Sequence, residues 1–105
     1  MANASFHWSE DLSPGEMQIL AFIRMFYHSP SLAILDEATS AVSLDVVELL
    51  YSECVQRQMT LISVAHRESV RKFHSHNLVL HGTAQSDHNS HAESWTISDI
   101  EYTRL

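Results

Sequence analysis

An acidic pair, Asp36-Glu37, closes the apolar run Leu32-Ala33-Ile34-Leu35, and a histidine, His66, stands just past a second apolar run, Thr60 to Val64. The first run has the length and composition of a buried parallel strand and the second reads as the next strand, and in open α/β sheets ligands bind beyond the carboxyl ends of such strands. The residue types suit one chemistry. Asp36 can hold Mg²⁺, directly or through water, while Glu37 orients a water molecule and accepts its proton. An imidazole at the same sheet edge can donate to a phosphate oxygen. Together they match hydrolysis of a nucleoside triphosphate, whose transition state needs a metal and donors around the transferring group. Singly, the acidic pair reads as a solvated loop or helix cap, and His66 is one of eight histidines; their order and spacing carry the reading.

The elements that must position these groups are marked in the chain. Ser13-Pro14-Gly15-Glu16 is a helix start, with a Ser N-cap, Pro at the first helical position and Glu three residues after the cap. Ser13, the Gly15 amide and the positive end of the helix dipole form an anion site that requires no lysine. The helix is expected from Pro14 to Tyr27, apolar on most sides and so packed between other elements, with Ser29-Pro30 ending it. Ser43 is expected to cap a second helix running to Gln58, with Cys54 on a half-buried face. Glu68 to Phe73 reads as a short helix and Asn77 to Leu80 as a strand. Residues 82–94 read as a polar loop, and Trp95 to Ile100 as a final strand pairing back as a hairpin.

Composition bounds the possibilities. A chain of 105 residues with 45% hydrophobic and 18% charged residues supports one small globular domain. A net charge of -7 argues against a dedicated nucleic-acid binder, which would need a basic face for phosphates. The single cysteine, Cys54, permits no internal disulfide. No run reaches the length of a membrane-spanning helix, and the N-terminus lacks signal-peptide features, so the chain itself is expected to be soluble. The pairs His74/His76 and His88/His91 lack further ligands in register and read as surface histidines. Arg67, Arg71 and Lys72 read as a solvated basic helix face. Only two glycines occur, Gly15 and Gly82, so the sequence contains no Gly-x-x-x-x-Gly-Lys-[Ser/Thr] phosphate loop.

From about Phe6 to Gly82 the chain resembles the nucleotide-binding domain of ATP-binding cassette (ABC) transporters. Leu12-Ser13-Pro14-Gly15-Glu16-Met17-Gln18 is similar to the signature loop of subfamily D, the peroxisomal and lysosomal half-transporters. It matches the cobalamin-transport branch more than the fatty-acyl-CoA members, which more usually carry Gly where this chain has Pro14. Leu35-Asp36-Glu37-Ala38-Thr39-Ser40-Ala41 and His66-Arg67 also resemble that subfamily. The resemblance implies an α/β fold, a partial P-loop NTPase three-layer architecture with a mostly parallel sheet. Residues 1–105 would form one partial domain: signature 12–18, Walker B strand 32–37, D-loop 40–43, switch histidine 66, and a C-terminal loop and strand over 83–105.

The same resemblance implies roles and partners. Asp36 would be the metal acid, Glu37 the catalytic carboxylate and His66 the switch histidine, with Ser13, Gly15, Glu16 and Ser40 contacting the nucleotide. The cofactors implied are ATP and Mg²⁺. ATP would be met in trans, in a dimer with a second half-transporter or nucleotide-binding domain, and the membrane only through a transmembrane domain not present in this sequence. The setting implied is the cytosolic face of a peroxisomal, lysosomal or endoplasmic-reticulum membrane. Two departures stand out: Ser43 where many members have Asp, and Ile19 where the signature helix usually carries Arg. Without a phosphate loop the chain is expected to be the C-terminal part of such a domain, inactive alone. The alternative is a non-catalytic interaction module that docks on a complete half-transporter and offers its signature loop in trans.

Overall fold

The computed structural model describes residues 11–82 and 94–100, which fall into two units, one ending at Phe73 and the other starting at His74. The first unit runs α1 (Pro14–His28), β1 (Leu32–Asp36), α2 (Leu44–Gln56), β2 (Thr60–Val64) and α3 (Glu68–Arg71). The second contains β3 (His76–Leu80) and β4 (Trp95–Asp99).

In the first unit β1 and β2 pair in parallel, with Leu32 opposite Thr60 and Asp36 opposite Val64. Parallel neighbours need a long crossover, and α2 supplies it. The in-register pairing brings the carboxyl ends of both strands to one edge. In the second unit β3 and β4 form an antiparallel pair, His76 opposite Asp99 and Leu80 opposite Trp95. The described residues therefore make a small α/β fold with a short parallel sheet and a separate antiparallel one, and the expected mostly parallel sheet is present only as the β1–β2 pair.

The start of α1 follows its sequence signals. The Glu16 amide donates to Ser13 Oγ (3.2 Å) and the Ser13 amide donates to Glu16 Oε1 (3.1 Å), a complete capping box. The helix continues one residue beyond the expected Tyr27 and stops at Ser29, whose left-handed backbone (φ 45°) lets its amide reach the Met25 and Phe26 carbonyls. Ser43 is the N-cap of α2, but its side chain makes no capping hydrogen bond, and α2 ends at Gln56 rather than Gln58.

The core of the first unit gathers Phe22 from α1, Ala33 and Leu35 from β1, Val47, Leu50, Tyr51 and Cys54 from α2, and Val70 from α3. Tyr51 stacks on Phe73 with ring centroids 5.4 Å apart and donates its hydroxyl to Ser63 Oγ on β2. Three burial expectations need correction. On α1, Phe22 is buried while Ile23 and Tyr27 are exposed, so the described elements cover only one face of this helix. Fully burying a Phe contributes about 1.5–3 kcal/mol, which makes Phe22 the anchor of α1. On β1, Ala33 and Leu35 are buried whereas Leu32 and Ile34 are exposed, so the strand is half-buried where its apolar run pointed to two covered faces. Cys54 departs the other way: it is fully buried, and burial pushes its thiol up to about 11. Ile19 packs partly buried against the core, in keeping with its apolar side chain.

The polar loop expected over 82–94 lies outside the described residues except at its ends, as do His88 and His91. His76 faces Asp99 across the hairpin, Nε2 to Oδ1 3.2 Å. No described helix is long and apolar enough to cross a membrane.

Candidate functional site

The carboxyl edge of the β1–β2 pair carries the acidic pair. Asp36 ends β1 with its side chain exposed, and the chain then turns sharply at Glu37, whose φ of 51° is left-handed. For a non-glycine residue that conformation costs about 1–3 kcal/mol and persists only where its surroundings hold it. Three hydrogen bonds do so. The Glu37 amide donates to the Val64 carbonyl (2.8 Å), and its carbonyl accepts from Gln18 Nε2 (3.2 Å) and from the Ser40 amide (3.3 Å). The turn lifts the Glu37 side chain to His66, where Oε1 lies 3.0 Å from Nε2. With the proton on Nε2 the imidazole donates to this carboxylate, an arrangement that fixes the orientation of both groups. His66 is 91% exposed, so this contact, and not packing, orients the ring.

The loop after Glu37 is held from two sides. Gln18, one turn into α1, donates to Ser40 Oγ (3.0 Å) as well as to the Glu37 carbonyl, and its Oε1 accepts from the Ala41 amide (2.9 Å). From the other side, the Arg67 guanidinium donates to the Val42 carbonyl (2.6 Å) and the Ser40 carbonyl (3.1 Å). Thr39 and Val42 are buried between these ties. Gly15 explains why α1 can approach so closely: a Cβ built on it would lie 2.6 Å from the Ala41 carbonyl oxygen.

The structure thus joins Glu37 to His66, and Ser40 to Gln18. Ser13 and Glu16 engage each other in the capping box, and the hydrogen bonds from Ser13 hold the Glu16 carboxyl below the usual glutamate range. Gln18 and Arg67 are the residues that sequence reasoning missed. Gln18 interrupts an otherwise apolar stretch from Met17 to Ile23, a polar residue whose own bonds are not visible in the sequence. Arg67 was expected on a solvated basic face with Arg71 and Lys72, but it is half-buried at the N-cap of α3 and grips the loop. Arg71 lies 3.9 Å from Glu68, and Lys72 pairs with Glu48.

A groove of about 550 Å³ runs along β1 from Phe22 and Met25 to Asp36 and Glu37. Among the described residues no group of three or more His, Cys, Asp or Glu side chains could hold a metal by itself. A lone exposed carboxylate suits Mg²⁺, which commonly binds one or two carboxylates and takes its other ligands from water and phosphate oxygens.

An acidic strand end, a carboxylate–imidazole pair and a capped helix start thus meet at one loop, and comparison with known proteins gives the family. Over 77 residues, 73% of this chain, it is 53% identical to the lysosomal cobalamin transporter ABCD4 of Mus musculus. It is 49% identical over 75 residues to ATP-binding cassette sub-family D member 3 of Rattus norvegicus, and 44% identical over 75 residues to sub-family D member 1 of Drosophila melanogaster, each alignment covering 71% of this chain. No family model matches. The chain belongs to the ATP-binding cassette family, sub-family D. The matched region spans 13%, 11% and 10% of the length of those three relatives, respectively.

Proposed function

We propose that this chain is the C-terminal part of an ABC transporter ATP-binding domain, built on the partial three-layer P-loop fold, which in a complete protein couples ATP hydrolysis to transport. The observation that carries the reading is the 3.0 Å contact between Glu37 Oε1 and His66 Nε2 at the strand edge that ends in Asp36. In this reading Glu37 orients the attacking water and takes its proton, while His66 steadies that carboxylate and offers a donor toward the γ-phosphate. Asp36 holds Mg²⁺, which when bound neutralises charge on the phosphates. Ser13, Gly15 and Glu16, on 12–18, contact ATP held by a partner domain, and Ser40 and the 40–43 loop line the same junction. The transported substrate is of the cobalamin or fatty-acyl-CoA type, and the site faces the cytosol at a peroxisomal, lysosomal or endoplasmic-reticulum membrane.

The chain alone does not turn over ATP in this reading, because its sequence has no glycine-rich phosphate loop. The test is a chimera in which residues 12–82 replace the matching segment of a complete sub-family D ATP-binding domain. Mg²⁺-dependent ATP hydrolysis is expected, with Glu37→Gln lowering kcat by about 10²–10⁴-fold while ATP binding persists. A folded chimera that binds ATP but is insensitive to Glu37→Gln overturns the assignment.

A further inference from the structure

Arg67 closes a short cycle of contacts around the Glu37–His66 pair. From Glu37 the backbone passes through Ala38 and Thr39 to Ser40, whose carbonyl accepts from Arg67 Nη2; Arg67 is bonded in sequence to His66, and His66 returns to Glu37 across 3.0 Å. A second tie, Arg67 Nη1 to the Val42 carbonyl at 2.6 Å, fixes the guanidinium in its plane. His66 itself lies on the short link between β2 and α3, with an almost fully exposed side chain, so burial cannot set its position. We propose that Arg67 is a positioning residue: by tying the loop after Glu37 to the segment that bears His66, it keeps the two side chains at hydrogen-bond distance. Its significance for catalysis rests on the ATPase reading above.

The chemistry favours arginine at this point. A planar guanidinium presents donors in a rigid fork, which here spans two carbonyls two residues apart. An ammonium is a compact charge on a flexible stem and holds one such carbonyl at a time in fixed geometry.

The experiment uses the chain as it is, isotope-labelled, and follows the ring signals of His66 by NMR at one fixed pH in Arg67→Ala, Arg67→Lys, Glu37→Gln and the Arg67→Ala/Glu37→Gln double variant. Arg67→Ala is expected to move the His66 ring signals most of the way to their position in Glu37→Gln. The double variant is expected to move them no further, since both changes remove the same contact. Arg67→Lys is expected to fall between the parent and Arg67→Ala. A role confined to stability would lower the melting temperature and leave His66 at its parent position in the folded protein, and that result overturns the proposal. Should Arg67→Ala fail to fold, parent-like His66 signals in a folded Arg67→Lys variant overturn it equally. No nucleotide enters this measurement, so its failure rejects the role of Arg67 and leaves the ATPase reading to be judged by the chimera.

Discussion

Replacing Gln18 tests how the left-handed turn at Glu37 is held. Gln18→Ala removes a donor from the Glu37 carbonyl and from Ser40 Oγ, and an acceptor from the Ala41 amide. A hydrogen bond contributes about 0.5–1.5 kcal/mol net, and these groups are partly exposed, so water replaces some of each; the three together are worth about 1–2 kcal/mol. Alanine returns a few tenths of that, roughly 0.3 kcal/mol, through its higher helix propensity. The net loss of about 0.7–1.7 kcal/mol corresponds to a fall in melting temperature of about 3–14 °C for a chain of this size. Gln18→Glu separates the donor from the acceptor. It keeps an oxygen for the Ala41 amide but sets a second acceptor against the Glu37 carbonyl, so it is expected to destabilise at least as much as alanine despite glutamate's good helix propensity. Thermal and urea unfolding followed by circular dichroism measure both variants, and an unchanged m-value assigns the effect to stability alone. Amide exchange at Ala41 is expected to speed up in Gln18→Ala and less so in Gln18→Glu. An alanine variant as stable as the parent, or more stable, would show that propensity outweighs the three bonds and refute the reasoning.

Gly15→Ala sets the gain of alanine in a helix, at most about 1 kcal/mol, against an overpacking cost of about 1–3 kcal/mol from a methyl 2.6 Å from the Ala41 carbonyl; a lowered urea midpoint is expected, and a raised one rejects the close approach. The Glu16 carboxyl is held below its ordinary range by its bonds to Ser13, so it contributes stability above that range which is lost as pH falls through the lowered value. Acid titration of stability is accordingly expected to be flatter in Glu16→Gln than in the parent. Cys54, buried and with its thiol pushed up to about 11, is expected to resist alkylation at pH 8 until urea unfolds the chain; rapid labelling of the native protein contradicts the packing of α2.

Much of the fold was legible because its signals are local. Ser13, Pro14 and Glu16 satisfy a helix start among themselves, and the capping box forms as their spacing implies. The apolar runs at Leu32 and Thr60 predict strands, and the in-register pair brings Asp36 beside the end of β2. Burial was less legible. The same apolar patterns imply covered faces on α1 and β1, yet which faces are covered depends on what packs against them, and Ile23 and Ile34 stay exposed among the described residues.

The geometry of the site was legible only in part, and the reason lies in the kind of bond that builds it. Asp36, Glu37 and His66 can be picked out because their side chains carry the chemistry. Gln18 and Arg67 escape because they act on backbone: three of their four carbonyl or amide partners lie in the 40–42 loop and the fourth is Glu37 itself. A backbone carbonyl carries no residue identity, so no pairing of residue types in the sequence announces such a contact. The exposed site needs these ties most. Glu37 sits in a conformation its side chain disfavours and His66 has almost no packing, so their 3.0 Å approach depends on polar groups arriving from α1 and from the start of α3. Loss of either tie is therefore expected to loosen the pair before it unfolds the core, which is built from Phe22, Tyr51 and Val70 and touches neither side chain's function.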